Sequence, residues 1–119
     1  MNLAVLDRMA CSQFTSLEKQ SIYQAVCGAM ACDGDRDPRE IRVIEEIVDI
    51  IGLTQSERVA SRQLDEQTMS ACIRKMSDLQ RIYVGKFIAQ IILADGKVTP
   101  SEQIFFDYIA QKFNLPNMD

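Results

Sequence analysis

The sequence predicts an all-α, single-domain array of about seven helices, with an internal two-fold repeat of helix, Asp-Gly turn and helix. Three observations predict it. Apolar residues recur at i, i+3, i+4, i+7 and i+8, the spacing of one helical face. Capping boxes stand just ahead of those stretches. A shift of 62 residues lays the chain on itself, pairing "DGDRDPRE" with "DGKVTPSE".

The first predicted helix covers 2–10. The second, 16–32, follows the capping box Thr15-Ser16-Leu17-Glu18 and carries Ile22, Ala25, Val26, Ala29 and Met30 on one face. The third, 38–51, begins at Asp37-Pro38-Arg39-Glu40: a capping Asp, Pro at the first helical position and Glu at the third. Its stripe is Val43, Ile44, Ile47, Val48 and Ile51, and Gly52 ends it before Leu53. Thr54-Gln55-Ser56-Glu57 opens a helix over 55–63, and another covers 67–76. Ser77-Asp78-Leu79-Gln80 caps 78–94, whose stripe is Val84, Phe87, Ile88, Ile91 and Ile92. Thr99-Pro100-Ser101-Glu102 caps 100–113, with Phe105, Phe106, Ile109, Ala110 and Phe113. The aromatic residues Phe105, Phe106, Tyr108 and Phe113 span more than one face, so the last helix is expected to pack most of them and expose one or two. Gly34 and Gly96 suit left-handed residues that end the preceding helices. The repeat halves run over about 16–53 and 78–115 of a single domain, 1–119. Each half forms an αα-hairpin; the two hairpins bury their stripes together, and the middle helices cover one side.

Composition narrows the function. The chain has 119 residues, 13 Lys and Arg against 17 Asp and Glu, and a net charge of −4. An acidic chain suits neither nucleic acid nor anionic lipid. Arg74, Lys75, Arg81 and Lys86 look scattered, as on a solvated face. No apolar run approaches the length of a membrane span, and "MNLAVLDRMAC" has no basic segment ahead of its apolar residues, unlike a signal peptide. A cytoplasmic protein is expected, with membrane contact only through a partner. There is no histidine, so a Cys-His or Ser-His-Asp nucleophile is unavailable. Cys11, Cys27, Cys32 and Cys72 form no C-x-x-C and read as small, mostly buried thiols.

"MACDGDRDPREIRVIEEIVDIIGL" and "ILADGKVTPSEQIFFDYIAQKFNL" together resemble the TerB-like domain, the family of the tellurite-resistance protein TerB. The likeness covers roughly residues 16 to 115. In the first copy Arg36 stands where the family has an apolar residue, and Cys32 where it has Ala; the second copy has Val98 and Ala94. The resemblance implies an all-helical fold and a link to tellurite or other stress resistance. It also implies divalent-metal binding by acidic residues, which fall here on Asp33, Glu40, Asp95 and Glu102.

The repeated D-G-x-x-x-P-x-E has two readings. As a metal site, Asp33, Asp35 and Asp37 alternate like the start of an EF-hand loop. The sixth and twelfth positions, however, are Pro38 and Ile44 rather than Gly and Glu. A weak site for a divalent cation such as Ca²⁺ would then use Asp33, Asp35, Asp37, Glu40, Asp95 and Glu102. As helix-turn grammar, Asp37 and Thr99 cap, Glu40 and Glu102 complete the boxes, and Gly34 and Gly96 terminate. The leading expectation is a non-enzymatic accessory or interaction module, with a protein partner or self-association through an acidic surface or exposed aromatics. Metal binding or sensing is the alternative, and an enzyme the least favoured. Glu45, Glu46 and Glu57 read as solvated faces.

Overall fold

The computed structural model describes residues 13–31, 38–94 and 98–115. These form six α-helices and no strand. They are α1 (Ser16–Ala31), α2 (Pro38–Ile51), α3 (Gln55–Ala60), α4 (Glu66–Arg74), α5 (Asp78–Ile92) and α6 (Pro100–Lys112). A short 3₁₀ turn, Ser61–Gln63, follows α3. The predicted helix at 2–10 lies outside the described residues, as do Gly34 and Gly96.

Local chemistry sets the starts. Thr15 Oγ1 accepts from the Glu18 N–H at 3.2 Å, and Glu18 Oε1 accepts from the Thr15 N–H at 2.7 Å. The same reciprocal pair joins Thr54 with Glu57, Ser77 with Gln80, and Thr99 with Glu102. Each box satisfies two backbone donors that a helix start leaves open. The start of α4 differs from the expected 67: Asp65 caps it, its Oδ1 accepting from the Thr68 N–H at 2.7 Å. That bond holds the Asp65 carboxyl below its ordinary range.

Two helix ends share one geometry. Gly52 has φ +72°; Leu53 N–H reaches Val48 O at 3.0 Å and Gly52 N–H reaches Asp49 O at 3.3 Å. Asn114 has φ +53°; Leu115 N–H reaches Ala110 O at 2.9 Å and Asn114 N–H reaches Gln111 O at 3.2 Å. Both are Schellman ends built on a left-handed residue. A Cβ on Gly52 would meet Lys19 Nζ at 3.8 Å, an ordinary contact. Any cost of a side chain there is therefore backbone strain. Gly52→Ala is expected to lose about 1–2 kcal/mol, read as a lower urea midpoint at unchanged m-value. An unchanged midpoint would mean the turn relaxes out of the left-handed region.

Helix α1 packs against each of the other five described helices, and α5 packs on α2 and α6. The stripes meet there. Ile22, Ala25, Val26 and Ala29 of α1 are buried, with Val84, Phe87, Ile88, Ile91 and Ile92 of α5. Small residues along α1 let its neighbours approach closely. Helix α2 adds Ile44, Ile47, Ile50 and Ile51, while α4 and the turn after it add Met69, Ile73 and Met76. Helix α6 adds Ile109 and the fully buried Phe113. The radius of gyration, 13.1 Å, is that of one packed domain of this size.

Candidate functional site

The sequence-predicted metal ligands divide into two groups. Asp33, Asp35, Asp37 and Asp95 lie outside the described residues. Glu40 and Glu102 are both buried, 3% and 1% exposed, at the third position of α2 and α6. Glu102 is engaged by the cap: its Oε1 accepts from the Thr99 N–H at 2.9 Å, and its own N–H donates to Thr99 Oγ1 at 3.1 Å. A carboxylate buried beside a helix start gains from the backbone donors and from the positive end of the helix. Among the described residues no group of three or more His, Cys, Asp or Glu is placed to hold a metal ion.

A polar network ties α1, α2 and α3 together. The Arg58 guanidinium lies 5.1 Å from the centroid of the Tyr23 ring. Its Nε donates to the Tyr23 hydroxyl at 2.9 Å, and its two terminal nitrogens meet the Glu45 carboxylate at 3.1 and 2.5 Å. Planar, fork-shaped donation to a carboxylate combined with ring stacking is what arginine does and lysine does not. The Glu45 contact, then that with Tyr23, raises the Arg58 pKa. Glu45, expected to be merely solvated, is thus one arm of an interhelical pair. Gln24 anchors the same region: its Nε2 donates to Leu64 O at 2.8 Å and to Ser61 O. Tyr23, Gln24, Cys27, Gly28, Ser61 and Arg62 line a pocket of about 420 Å³ here. Burial pushes the Cys27 thiol up, partly offset by its hydrogen bond with Tyr23. A thiol so held is a poor nucleophile, and the network joins α1, α2 and α3.

The outer face of α6 is different. Ile104 is 70% exposed, and Tyr108, one turn on, is 54% exposed. Phe105 and Phe106 are half-buried against the core. Lys112 sits over Tyr108, its Nζ 5.5 Å from the ring centroid and 3.4 Å from the hydroxyl. The same Nζ is ion-paired with Glu66 of α4, a contact that raises the lysine pKa. Lys112 and Glu66 are also the rim of a surface pocket of about 610 Å³, whose other lining residues are Gln67, Ser70, Ala71, Arg74 and Lys75. Residues 66, 67, 70, 71 and 74 share one face of α4 by helical spacing. Lys112, against Tyr108 and lining this pocket, thus links the apolar pair on α6 to a pocket on α4 with three basic residues and one acidic.

Ser70 is 8% exposed, and its hydroxyl has no hydrogen-bond partner among the described residues. Sequence reasoning found neither Ser70 nor Lys112. Arg74 and Lys75, read as scattered, converge here with Lys112. A smaller apolar pocket of about 190 Å³ lies at the α5–α6 turn, lined by Ala89, Ile92, Leu93, Val98, Gln103 and Phe106.

The class that these observations define is an all-α domain with a mixed apolar and basic outer face. The fold has a counterpart among solved structures. A protein of unknown function, PG1108 of Porphyromonas gingivalis W83, is similar over 99% of this chain and 86% of its own, with a TM-score of 0.77 at 23% sequence identity. That likeness shows a shared fold. Comparisons with protein-family models and with curated proteins gave no match. No described helix is long and apolar enough to cross a membrane.

Proposed function

We propose that this chain is a non-enzymatic interaction module that docks a protein partner on the outer face of α6. The observation that carries this reading is the exposure of Ile104 and Tyr108, one turn apart, on a helix whose opposite side is anchored by Ile109 and Phe113. The rest of the described chain covers only the inner side of α6, and Ile104 and Tyr108 stay exposed beside the polar Gln103, Asp107 and Gln111. An exposed tyrosine next to an exposed aliphatic side chain suits an interface anchor, since tyrosine is enriched at such positions. The resemblance of the two Asp-Gly copies to TerB-like domains supports placing the module among stress-response accessory proteins. The lack of histidine in the sequence supports a role without histidine-based acid–base chemistry.

The test places a photo-crosslinking side chain at position 104 in the native cell, with a control at an exposed polar site such as Gln55. The captured polypeptide is identified, purified and recombined with the chain. Ile104→Asp is expected to weaken that reconstituted complex at least tenfold, about 1.4 kcal/mol or more. Its own unfolding should stay within about 0.5 kcal/mol of the wild type, because the site is exposed. Equal crosslinking at both positions, or a reconstituted complex indifferent to Ile104→Asp, would refute the assignment of this face.

A further inference from the structure

The basic pocket on α4 has no part in packing that the described residues reveal. Arg74 and Lys75 make no ion pair among them, whereas Arg58, Arg81 and Lys112 each do. Arg81, ion-paired with Asp78, donates to the Arg74 carbonyl at 3.4 Å, which ties the end of α4 to the start of α5. In a chain of net charge −4, this is a local reversal of sign. Ser70 lines the same pocket, and its hydroxyl is buried and unpartnered among the described residues. A buried donor left open costs free energy, and χ1 rotation swings a serine hydroxyl between staggered positions. Because Ser70 lines the pocket, an anion that enters it can supply the missing acceptor.

We infer that this pocket receives a carboxylate from an acidic segment of the partner protein, held by Arg74 and Lys75 and accepting from Ser70, while an apolar side chain of that segment lies on Ile104 and Tyr108. This inference rests on the interaction face proposed above. Lys112 joins the two halves, because its ammonium touches both Tyr108 and Glu66. The choice of a protein segment follows from charge. Lys112 is neutralised by Glu66, which leaves two unpaired cations in the pocket. Nucleic acid that binds by phosphate neutralisation typically uses about 6–10 contacts. A membrane surface likewise rewards clusters of about 4–8 basic residues. Two cations beside a glutamate and an apolar face instead fit one or two carboxylates flanked by aliphatic side chains, a pattern of complementary charge and a central apolar anchor.

The probe is a synthetic helical peptide with leucine on one face and glutamate beside it, together with its analogue in which every Glu is Gln. Each is titrated into the ¹⁵N-labelled full chain, and amide shifts are followed by residue. The expected result is saturable shifts at Ser70, Ala71, Arg74 and Lys75 as well as at Ile104 and Tyr108. Loss of the Glu side chains, or the pair Arg74→Gln and Lys75→Gln, should weaken binding roughly tenfold, the scale of a charge-assisted contact. Ser70→Ala should also weaken it, by roughly threefold to tenfold, although it removes an unpartnered buried hydroxyl and leaves the fold at least as stable. If the Gln analogue binds as tightly and shifts only Ile104 and Tyr108, the carboxylate pocket is wrong and the apolar face stands. If the pocket responds while Ile104→Asp changes nothing, the apolar face is wrong, and the inference that rests on it falls too. Absence of saturable shifts with both peptides overturns it. Binding of duplex DNA or phosphatidylserine vesicles that Arg74→Gln and Lys75→Gln abolish would overturn the choice of a protein segment.

Discussion

Phe113→Ala is expected to remove about 3–5 kcal/mol of stability, the cost of deleting a buried phenylalanine side chain and leaving part of its volume empty. Phe113 is fully buried at the C-terminal end of α6, where its N–H closes on Ile109 O at 2.9 Å. A domain of ordinary stability has about 5–15 kcal/mol in total, so the variant approaches the threshold of unfolding. Helix α6 is anchored by Ile109 and Phe113 along its inner face and by the Thr99 box at its start. Loss of the phenyl ring therefore loosens the element that carries the outer face. Tyr108→Ala, on that outer face, serves as the contrast and should stay within about 0.5 kcal/mol. Urea unfolding at constant m-value measures both. A Phe113→Ala loss under about 1 kcal/mol would mean that the core closes over the gap, and the anchoring role of this ring would have to be abandoned.

What the sequence disclosed, and what it did not, follows the range of the interactions. Capping boxes span four consecutive residues, so Thr15, Thr54, Ser77 and Thr99 were readable in the chain and their partners stand where the motif places them. Asp65 was missed because its partner at the third position is Thr68, which lacks the Glu or Gln that completes a box. Gly52 announced a left-handed helix end. Asn114 adopts the same conformation with the same two hydrogen bonds, but asparagine is common enough elsewhere that it gave no such signal. The apolar stripes located the core, because helical spacing fixes which side chains share a face.

The candidate interface was hidden for the opposite reason. Lys112 and Glu66 are 46 residues apart, and nothing local pairs them. Arg74 and Lys75 resemble solvent-facing charges until α4 is set beside the end of α6. In the last helix the stripe Phe105, Phe106, Ile109, Ala110 and Phe113 did name the inner side: Ile109 and Phe113 are buried there and Phe105 and Phe106 half-buried. What the pattern left open is which aromatic stays outside, Tyr108, and that it shares the exposed side with Ile104. The same limit applies to Glu40 and Glu102. As residue types they suit either a cation or a cap; their burial and the Thr99 hydrogen bonds show that Glu102 acts as a cap.

Gln24 offers the other large effect, and its sign with pH identifies the cause. Two main-chain carbonyls, of Ser61 and Leu64, converge on the Gln24 amide nitrogen. They belong to the 3₁₀ turn and its exit, so this one side chain fixes the connection between α3 and α4 against α1. Gln24→Ala removes both donors and should cost about 2 kcal/mol, the scale of leaving partly buried carbonyls unpaired. That loss should not depend on pH. Gln24→Glu keeps the shape but turns acceptor oxygens toward acceptor oxygens. Its ionised form is disfavoured in the folded state, so its folded pKa lies above the unfolded value of about 4.3. The stability tied to the protonated carboxyl is then fully present below the unfolded pKa, where it donates to one of the two carbonyls. It is lost as pH rises through the folded value. Relative to wild type, Gln24→Glu should be near Gln24→Ala or worse at neutral pH and recover about 1 kcal/mol at acid pH. Chemical unfolding of the three proteins across that range decides it. A Gln24→Glu deficit that is flat with pH would show that the carboxylate turns to solvent, and that the connection is held by packing rather than by this amide.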